Sequence, residues 1–299
     1  MCGIAGFLSS ESIDKKCELK KMGEALSHRG PNDNGLWFDD LSGVGLSHTR
    51  LSVIDLSITG HQPMVSHSKR YTIVFNGEIY NHEELRKGTG IDTWNGQSDT
   101  ESLLASVERW GVDLAVKKMS GMFAFALWDS EKKELTLCRD RLGEKPLYYG
   151  WSGKNFIFGS ELKALKSFYG FSNAIDRNSL TLFLRYNCIP APYSIYEGIF
   201  KLEPGHIASI KLGDSVVKSR IYWSINDKNL KNQCARSEVE TLDQLDDTLK
   251  KSVSRQMMSD VQIGAFLSGG IDSSLIAALM QKNSKKRLKT FSIGFENKD

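Results

Sequence analysis

Two places in this 299-residue sequence gather residue types that do chemistry. The first is Cys2, directly after the initiator Met1. Cysteine is small enough for the methionine to be trimmed, which leaves a thiol and a free α-amine on one residue. An α-amine titrates at about 7.7 to 8.0, so near neutrality part of the population holds it unprotonated, able to take the thiol proton. Nucleophile and base would then share a residue. A chance cysteine in a frayed terminus is the plain alternative, and one residue alone does not decide between them. The second place is Ser268-Gly269-Gly270-Ile271-Asp272-Ser273-Ser274, where an apolar run gives way to a helical pattern. Free backbone N–H groups and the positive end of a helix then converge on one spot, an anion site. The glycines let the backbone approach oxygen closely, the serines add hydroxyl donors, and Asp272 offers a carboxylate for Mg²⁺ bridging phosphates. No Gly-Lys-Ser/Thr is present, so this is not a Walker loop, and a tight structural turn is the alternative.

Context decides the first case. Met-Cys-Gly-Ile-Ala-Gly at 1–6, His-Arg-Gly-Pro at 28–31, Ser-His-Thr-Arg-Leu-Ser at 47–52, Asn-Gly-Glu-Ile-Tyr-Asn at 76–81 and Ser-Asp-Thr-Glu at 98–101 occur in order. Together they resemble the class II glutamine amidotransferases. The resemblance implies that Cys2 attacks the side-chain amide of glutamine, releases ammonia and leaves a glutamyl thioester for water to hydrolyse. It implies that Asn76 (side-chain amide) and Gly77 (backbone N–H) form the oxyanion hole, one donor of which is typically worth about 3 to 4 kcal/mol. Arg50 and Asp99 match the residues that hold the α-carboxylate and α-ammonium of glutamine, for which a guanidinium fork and a carboxylate are the complements. Leu51, Ser52, Val53, Ile54 and Glu78 would complete the pocket. His28, His48 and His82 read as structural or surface residues, because the amine removes the need for a histidine base. Arg29 and Pro31 read as shaping a loop over the pocket. The sequence departs from the family pattern in having Asn32, not aspartate, after Pro31, with Asp33 one place later, which predicts a loop contact shifted or lost. The stretch between Asn81 and Ser98 is also short, at the rim around Asp99.

The serine-glycine turn resembles the pyrophosphate loop of ATP-pyrophosphatases, which adenylate a substrate and release pyrophosphate. On this resemblance Leu267, Ser268, Gly269, Gly270, Asp272, Ser273, Ser274 and Ile293 bind ATP, with Asp272 toward Mg²⁺; Leu267 and Ile293 read equally well as core residues. A glutaminase followed by this loop is the order found in the glutamine-hydrolysing asparagine synthetases, and the likeness extends through residues 139–149, 160–165 and 189–192. Leu142 and Glu144 replace the usual phenylalanine and isoleucine, a change of packing more than of chemistry. The family implies an α+β fold, a four-layer αββα N-terminal-nucleophile glutaminase domain, followed by the beginning of an α/β ATP-pyrophosphatase domain of the adenine nucleotide alpha hydrolase-like kind. It implies ammonia passing internally to a β-aspartyl-adenylate to give asparagine, AMP and pyrophosphate. ATP and Mg²⁺ are then the cofactors, and glutamine, ATP and aspartate the partners, with no nucleic acid and no membrane; a homodimer stays open. Two alternatives remain: the same machinery amidating another carboxylate, on a sugar or secondary metabolite, or a truncated glutaminase-only or inactive interaction protein.

These sites need elements to position them. A β-branched and aromatic run at 71–75, hairpin-like pairs at 122–128 with 134–139, 146–151 with 155–158, and 206–211 with 215–218, predict antiparallel sheet. Leu19, Met22 and Leu26 share one helical face; Leu103, Leu104, Val107 and Trp110 share another behind Asp99 as cap. The polar, aperiodic stretch 224–237 reads as a linker between a glutaminase domain (2–223) and the start of a second domain (238–299). There Leu242, Leu245, Leu249 and Val253 make a helix stripe, 261–267 a strand, 271–281 a helix and 290–295 another strand, the opening of a parallel α/β sheet. Sixty-two residues from Glu238 to Asp299 are few to build a core alone, so this portion is not expected to make asparagine by itself.

Composition narrows the rest. With 25% charged and 40% hydrophobic residues and a net charge of +3, the chain is an ordinary globular sequence with too little positive charge to imply a nucleic-acid or membrane partner. The basic cluster Lys282, Lys285, Lys286, Arg287 and Lys289 reads as a solvated loop after a helix. No apolar stretch reaches the roughly 18 residues of a membrane span, and residues 1–10 lack the pattern of a secretory signal. Five scattered cysteines without a CxxC pair argue against a disulfide framework. The cytoplasm is the expected location.

Overall fold

The computed structural model describes residues 1–11, 13–227 and 237–294. They fall into two units, 1–227 and 228–299. In the first, apolar side chains alternate along strands that are buried on both faces, and this alternation stacks two antiparallel sheets. One sheet contains β1 (Gly3–Leu8), β2 (Asp33–Asp39), β3 (Val44–Arg50), β8 (Tyr148–Ser152), β9 (Asn155–Gly159) and β10 (Ile199–Lys201) in the order β10-β8-β9-β1-β3-β2. The other contains β4 (Met64–Val65), β5 (Tyr71–Ile79), β6 (Gly121–Asp129), β7 (Glu134–Arg139), β11 (His206–Lys211) and β12 (Lys218–Ile221) in the order β12-β11-β7-β6-β5-β4.

Ile4 and Leu8 of β1 meet Val74, Ala126 and Trp128 in the core between the sheets. Ala5 and Phe7, pointing the other way, pack with Leu19, Met22, Leu26 and Leu165 beneath α1 (Lys15–Glu24) and α4 (Leu162–Lys166). On the far side Phe75, Phe123, Phe125 and Leu127 pack with Leu103, Leu104 and Val107 beneath α2 (His82–Thr89) and α3 (Asp99–Lys118). Three apolar layers therefore separate helices, sheet, sheet and helices, the αββα arrangement the sequence resemblance implies.

Details differ from the sequence reading. The cap of α3 is Ser98, whose hydroxyl accepts the Thr100 N–H at 3.2 Å, and not Asp99. The Asp99 carboxylate turns back instead to the Ile79 N–H. The last hairpin pairs β11 with 218–221 rather than 215–218, because the Asp214 carboxylate takes the Lys211 N–H at 3.0 Å and the ladder begins only at Ser209 opposite Lys218. Tyr148, not Pro146, opens β8, since proline has no N–H to give a ladder. A further helix, α5 (Arg177–Tyr186), capped by Asp176, leaves Phe183 and Leu184 largely exposed.

The second unit begins with α6 (Glu238–Gln256), opened by a capping box between Ser237 and Glu240. Then β13 (Gly264–Phe266), α7 (Ile271–Asn283) and β14 (Lys289–Phe291) form a parallel β-α-β unit. Both strands are shorter than the apolar runs 261–267 and 290–295. Of the α6 stripe only Val253 is buried, beside Ala265, Leu279 and Met280, and Leu242 and Leu245 stay exposed. Residues 228–236 of the expected linker and the end of the 290–295 strand lie outside the described residues.

Phe125 is fully buried in the β6 face under α3. Phe125→Ala is expected to remove about 3–5 kcal/mol, seen in urea as a lower midpoint with an unchanged slope.

Candidate active site

Strand β1 is bonded on both edges, to β3 and to β9, and Cys2 immediately precedes its first residue, Gly3. There the Leu51 N–H donates to Cys2 Sγ at 3.4 Å and the thiol donates to the Leu51 carbonyl at 3.6 Å. Arg29 clamps the same residue from the other side: its Nε donates to the Cys2 carbonyl at 2.8 Å and its Nη1 to Glu161 Oε1 at 2.7 Å. Burial alone would raise the Glu161 carboxyl, but hydrogen bonds from Arg29, His28 and Lys163 bring it down to about 2. Arg29, which the sequence offered as a loop-shaping residue, thus fixes the backbone of Cys2.

Strand β5 supplies the opposite wall. The Phe75 N–H donates to Gln62 Oε1 at 2.7 Å and the Ile79 N–H to Asp99 Oδ2 at 2.9 Å. By the two-residue repeat of a strand, the Gly77 N–H lies on this same edge between them, facing the cavity. Its neighbour across β6, Phe123, gives its own N–H to Asp140 at 3.2 Å. Gly77 is required by packing: a Cβ there would meet Phe123 Cα at 2.7 Å. Asn76 is buried, and its Nδ2 has no hydrogen-bond partner.

Cys2, Arg50, Leu51, Val53, Ile54, Asn76, Gly77, Glu78 and Asp99 line one cavity of about 130 Å³. Of the residues expected there, only Ser52 is outside it, and its N–H donates to Asn32 Oδ1 at 3.0 Å. The Asn32 N–H in turn donates to the Arg50 carbonyl. Asn32 thus joins the 31–33 loop to the 50–52 segment through both its side chain and its backbone. His28 is exposed against Glu161, His48 is buried with Nε2 at 3.1 Å from the Phe75 carbonyl, and His82 starts α2. Burial lowers His48 to about 3, so it is neutral and structural. None of the three lines the cavity.

Three residues at the site were not singled out in the sequence. Asp55, held at φ 57°, accepts from the Ser57 N–H (3.1 Å), the Thr59 hydroxyl (2.8 Å) and the Gln97 N–H (2.9 Å). Against a burial effect that would raise it, these bonds hold its carboxyl at about 2. Its own carbonyl and that of Ser57 accept from the Arg50 guanidinium, so Asp55 ties the 51–60 loop to 95–97 and aims Arg50. An aspartate followed by Ser57 and Thr59 is the pattern of a side-chain-closed turn, and that signal was available. Gln62 bridges the Phe75 N–H and the Thr100 hydroxyl; Lys145, only 6% exposed, lines the cavity. Neither carries a local signal. Met1 is also at the rim, its Sδ accepting from Lys145 Nζ at 3.6 Å.

Burial raises Cys2 and Glu78, lowers Lys145, and pushes Asp99 up to about 7 in spite of the Ile79 N–H. Cation and carboxylates thus share one desolvated space.

In the second unit the turn after β13 has Gly269 at φ 84°. Ser273 Oγ donates to the Gly270 carbonyl at 3.1 Å and accepts the Ser268 N–H at 3.3 Å. The start of α7 has no side-chain cap, so its first N–H groups stay free for an outside acceptor, which fits a phosphate. Ser274 and Asp272 lie in that first turn, Leu267 is half-buried and Ile293 is 80% exposed. Asp272 offers a single carboxylate; among the described residues no three His, Cys, Asp or Glu side chains gather to hold a metal. Mg²⁺ keeps several waters and often takes one protein carboxylate plus phosphate oxygens, a set that Asp272 fits.

A family model described as glutamine amidotransferase domain matches residues 1–223. The chain belongs to the glutamine amidotransferase family. A second model, described as asparagine synthase, matches residues 244–299 of this amidotransferase. Putative asparagine synthetase (glutamine-hydrolyzing) 2 of Methanocaldococcus jannaschii is 38% identical over 100% of the chain and 60% of its own length. Asparagine synthetase (glutamine-hydrolyzing) 3 of Bacillus subtilis is 36% identical over 100% of the chain and 49% of its own length. The amidotransferase chain thus spans about half the length of the curated relatives it matches. The glutamine phosphoribosylpyrophosphate amidotransferase structure from B. subtilis, complexed with ADP and GMP, shares the fold at a TM-score of 0.55 and 16% identity, over 97% of this chain and 65% of that one.

The raised carboxyl gives a direct check. Asp99, followed by ¹³C NMR of its carboxyl carbon, is expected to titrate near pH 7 rather than near 3.8.

Proposed function

We propose that the first unit hydrolyses glutamine at Cys2 and that the whole protein delivers the ammonia to an ATP-driven amidation of aspartate, as a glutamine-hydrolysing asparagine synthetase. One observation carries the glutaminase reading: the orphaned Asn76 amide, with Gly77 beside it, stands on the wall of the cavity that also holds the Cys2 thiol. Donors left unpaired in a buried site cost stability and gain a partner only when charge develops in front of them.

After removal of Met1 the Cys2 α-amine takes the thiol proton and Sγ attacks the amide carbon of glutamine. The oxygen that gains negative charge is received by Asn76 Nδ2 and the Gly77 N–H. As the tetrahedral species collapses, the α-ammonium returns its proton to the leaving nitrogen, ammonia departs, and water deacylates the glutamyl thioester. Arg50 spends some of its five N–H donors on the Asp55 and Ser57 carbonyls and keeps the others for the α-carboxylate. Asp99, with Glu78, receives the α-ammonium. Leu51, Val53 and Ile54 enclose the substrate's carbon chain.

In the second unit we assign Ser268, Gly269, Gly270, Ser273 and Ser274 to the phosphates of ATP, Leu267 and Ile293 to its base, and Asp272 to Mg²⁺. ATP would supply the activation of the carboxylate that ammonia then attacks. The named relatives and the asparagine synthase match over 244–299 support this assignment and aspartate as acceptor. The proposed division into 2–223, 224–237 and 238–299 rests beside family matches over 1–223 and 244–299. Among the described residues no helix is long and apolar enough to cross a membrane, and Cys2, Cys17, Cys138 and Cys188 are free thiols, in keeping with a reducing, cytoplasmic setting.

Cys2→Ala is expected to abolish ATP-independent release of glutamate from glutamine; undiminished release would overturn the assignment. Asn76→Ala should lower kcat about 10²- to 10³-fold with a smaller change in KM. Since only ionised Asp99 attracts an ammonium, KM for glutamine should rise as pH falls below about 7, and Asp99→Asn should flatten that rise while elevating KM at pH 8.

A further inference from the structure

Lys145 is a lysine where none is needed for the reading above. It is 6% exposed and lines the Cys2 cavity. Both of its peptide groups are held: Asp140 Oδ2 accepts its N–H at 3.0 Å and Arg139 Nε donates to its carbonyl at 2.8 Å. Asp140, itself fully buried, also takes the N–H groups of Leu142 and Glu144, both at 3.0 Å, and of Phe123 on β6. The turn that carries Lys145 is thereby welded to the strand opposite Gly77. Among the described residues its ammonium forms no ion pair with a carboxylate, and its hydrogen-bond contact is Met1 Sδ at 3.6 Å, the residue whose removal the glutaminase reading requires. Arg29, which holds the Cys2 carbonyl, is paired with Glu161 at 2.7 Å.

We infer that Lys145 is a positioning residue acting by charge: its ammonium, in the cavity that holds Cys2 and in contact with the Met1 side chain, holds the α-amine freed by loss of Met1 in its unprotonated, proton-accepting form. This rests on the glutaminase reading of the site. A fixed cation disfavours a second positive charge next to it, the device by which amines are made basic catalysts at neutral pH. Around the amino group that Met1 carries before its removal, burial is the main effect lowering the amine, Arg29 and then Lys145 lower it further, and the Cys2 thiol and Glu78 raise it; loss of Met1 places the new amine one residue along in the same surroundings. Glu144 and Glu78 favour the charged form of Lys145 against its burial, and Asp99 and Arg50 act on the thiol with opposite signs. Arg29 is ion-paired with Glu161 at 2.7 Å, whereas Glu78 and Glu144 act on Lys145 without a close ion pair.

The test is kcat at saturating glutamine from pH 6 to 9, on the 299-residue chain with Met1 loss verified by intact mass. In the complex Asp99 is already paired with substrate, so the acid limb of kcat reports the amine. Lys145→Met and Lys145→Gln are expected to move that limb up by about one unit. That shift lowers kcat at pH 6.5 roughly tenfold and leaves pH 9 nearly unchanged, and Lys145→Arg keeps the wild-type limb. Thermal melts show whether each variant is folded. A uniform loss of kcat at every pH in folded variants, an unmoved limb, or a rise in KM alone would overturn the inference. Activity that survives Cys2→Ala would instead sink the glutaminase reading itself, so the two failures are distinguishable.

Discussion

Cys2 has almost no freedom, because the strand that follows it is hydrogen-bonded on both edges and buried on both faces. Ile4 and Leu8 are locked between the sheets, Ala5 and Phe7 beneath the helices, and the Ile4 N–H and carbonyl are both taken by Ser160 at 3.0 and 2.8 Å. A nucleophile one residue from such a strand is aimed by the core itself. The Arg29 bond to its carbonyl and the two contacts with Leu51 only remove what slack remains. Orientation of this kind is worth several kcal/mol in a reaction whose partners would otherwise have to find each other.

The opposite wall depends on a similar economy. The strand edge of β5 carries three N–H groups in a row, at 75, 77 and 79. Gln62 and Asp99 satisfy the outer two, and the middle one is left over. Behind β5, Asp140 accepts the Phe123 N–H on the far edge of β6 and so fixes the strand that backs Gly77. A buried carboxylate accepting four amide donors is a costly thing to place in a core unless all its bonds are made, and here it joins β6 to the 140–145 turn.

Most of the architecture was legible because it rests on local patterns. The hairpin 122–139 announced itself by alternation around a polar turn, and Cys2, Arg50, Asn76, Gly77, Glu78 and Asp99 sit in short contiguous motifs. What was not legible depends on partners far away in the chain. Ser98 and Asp99 are both good caps, and only the demand of the Ile79 N–H decides which one caps. Asn32 stands where the family pattern has a carboxylate, and its amide oxygen accepts the Ser52 N–H, as a carboxylate oxygen could. The register of β12 was set by one side chain, Asp214, bonding where the ladder would have started. Lys145 has meaning only because Asp140, five residues earlier, folds the turn back into the cavity.

Asp99 also makes the act of folding a proton-binding event. In an unfolded chain its carboxyl ionises near 3.8, whereas in the fold it holds its proton up to about 7. Between those values the native molecule carries one proton that the unfolded one lacks, so this residue weakens the fold as pH rises across that window. Asp55 and Glu161, both held near 2, have the opposite slope and weaken it only as pH falls through the acid range. The pH of greatest conformational stability and the pH at which the pocket is ready for an ammonium are therefore set by different carboxylates, and they need not coincide.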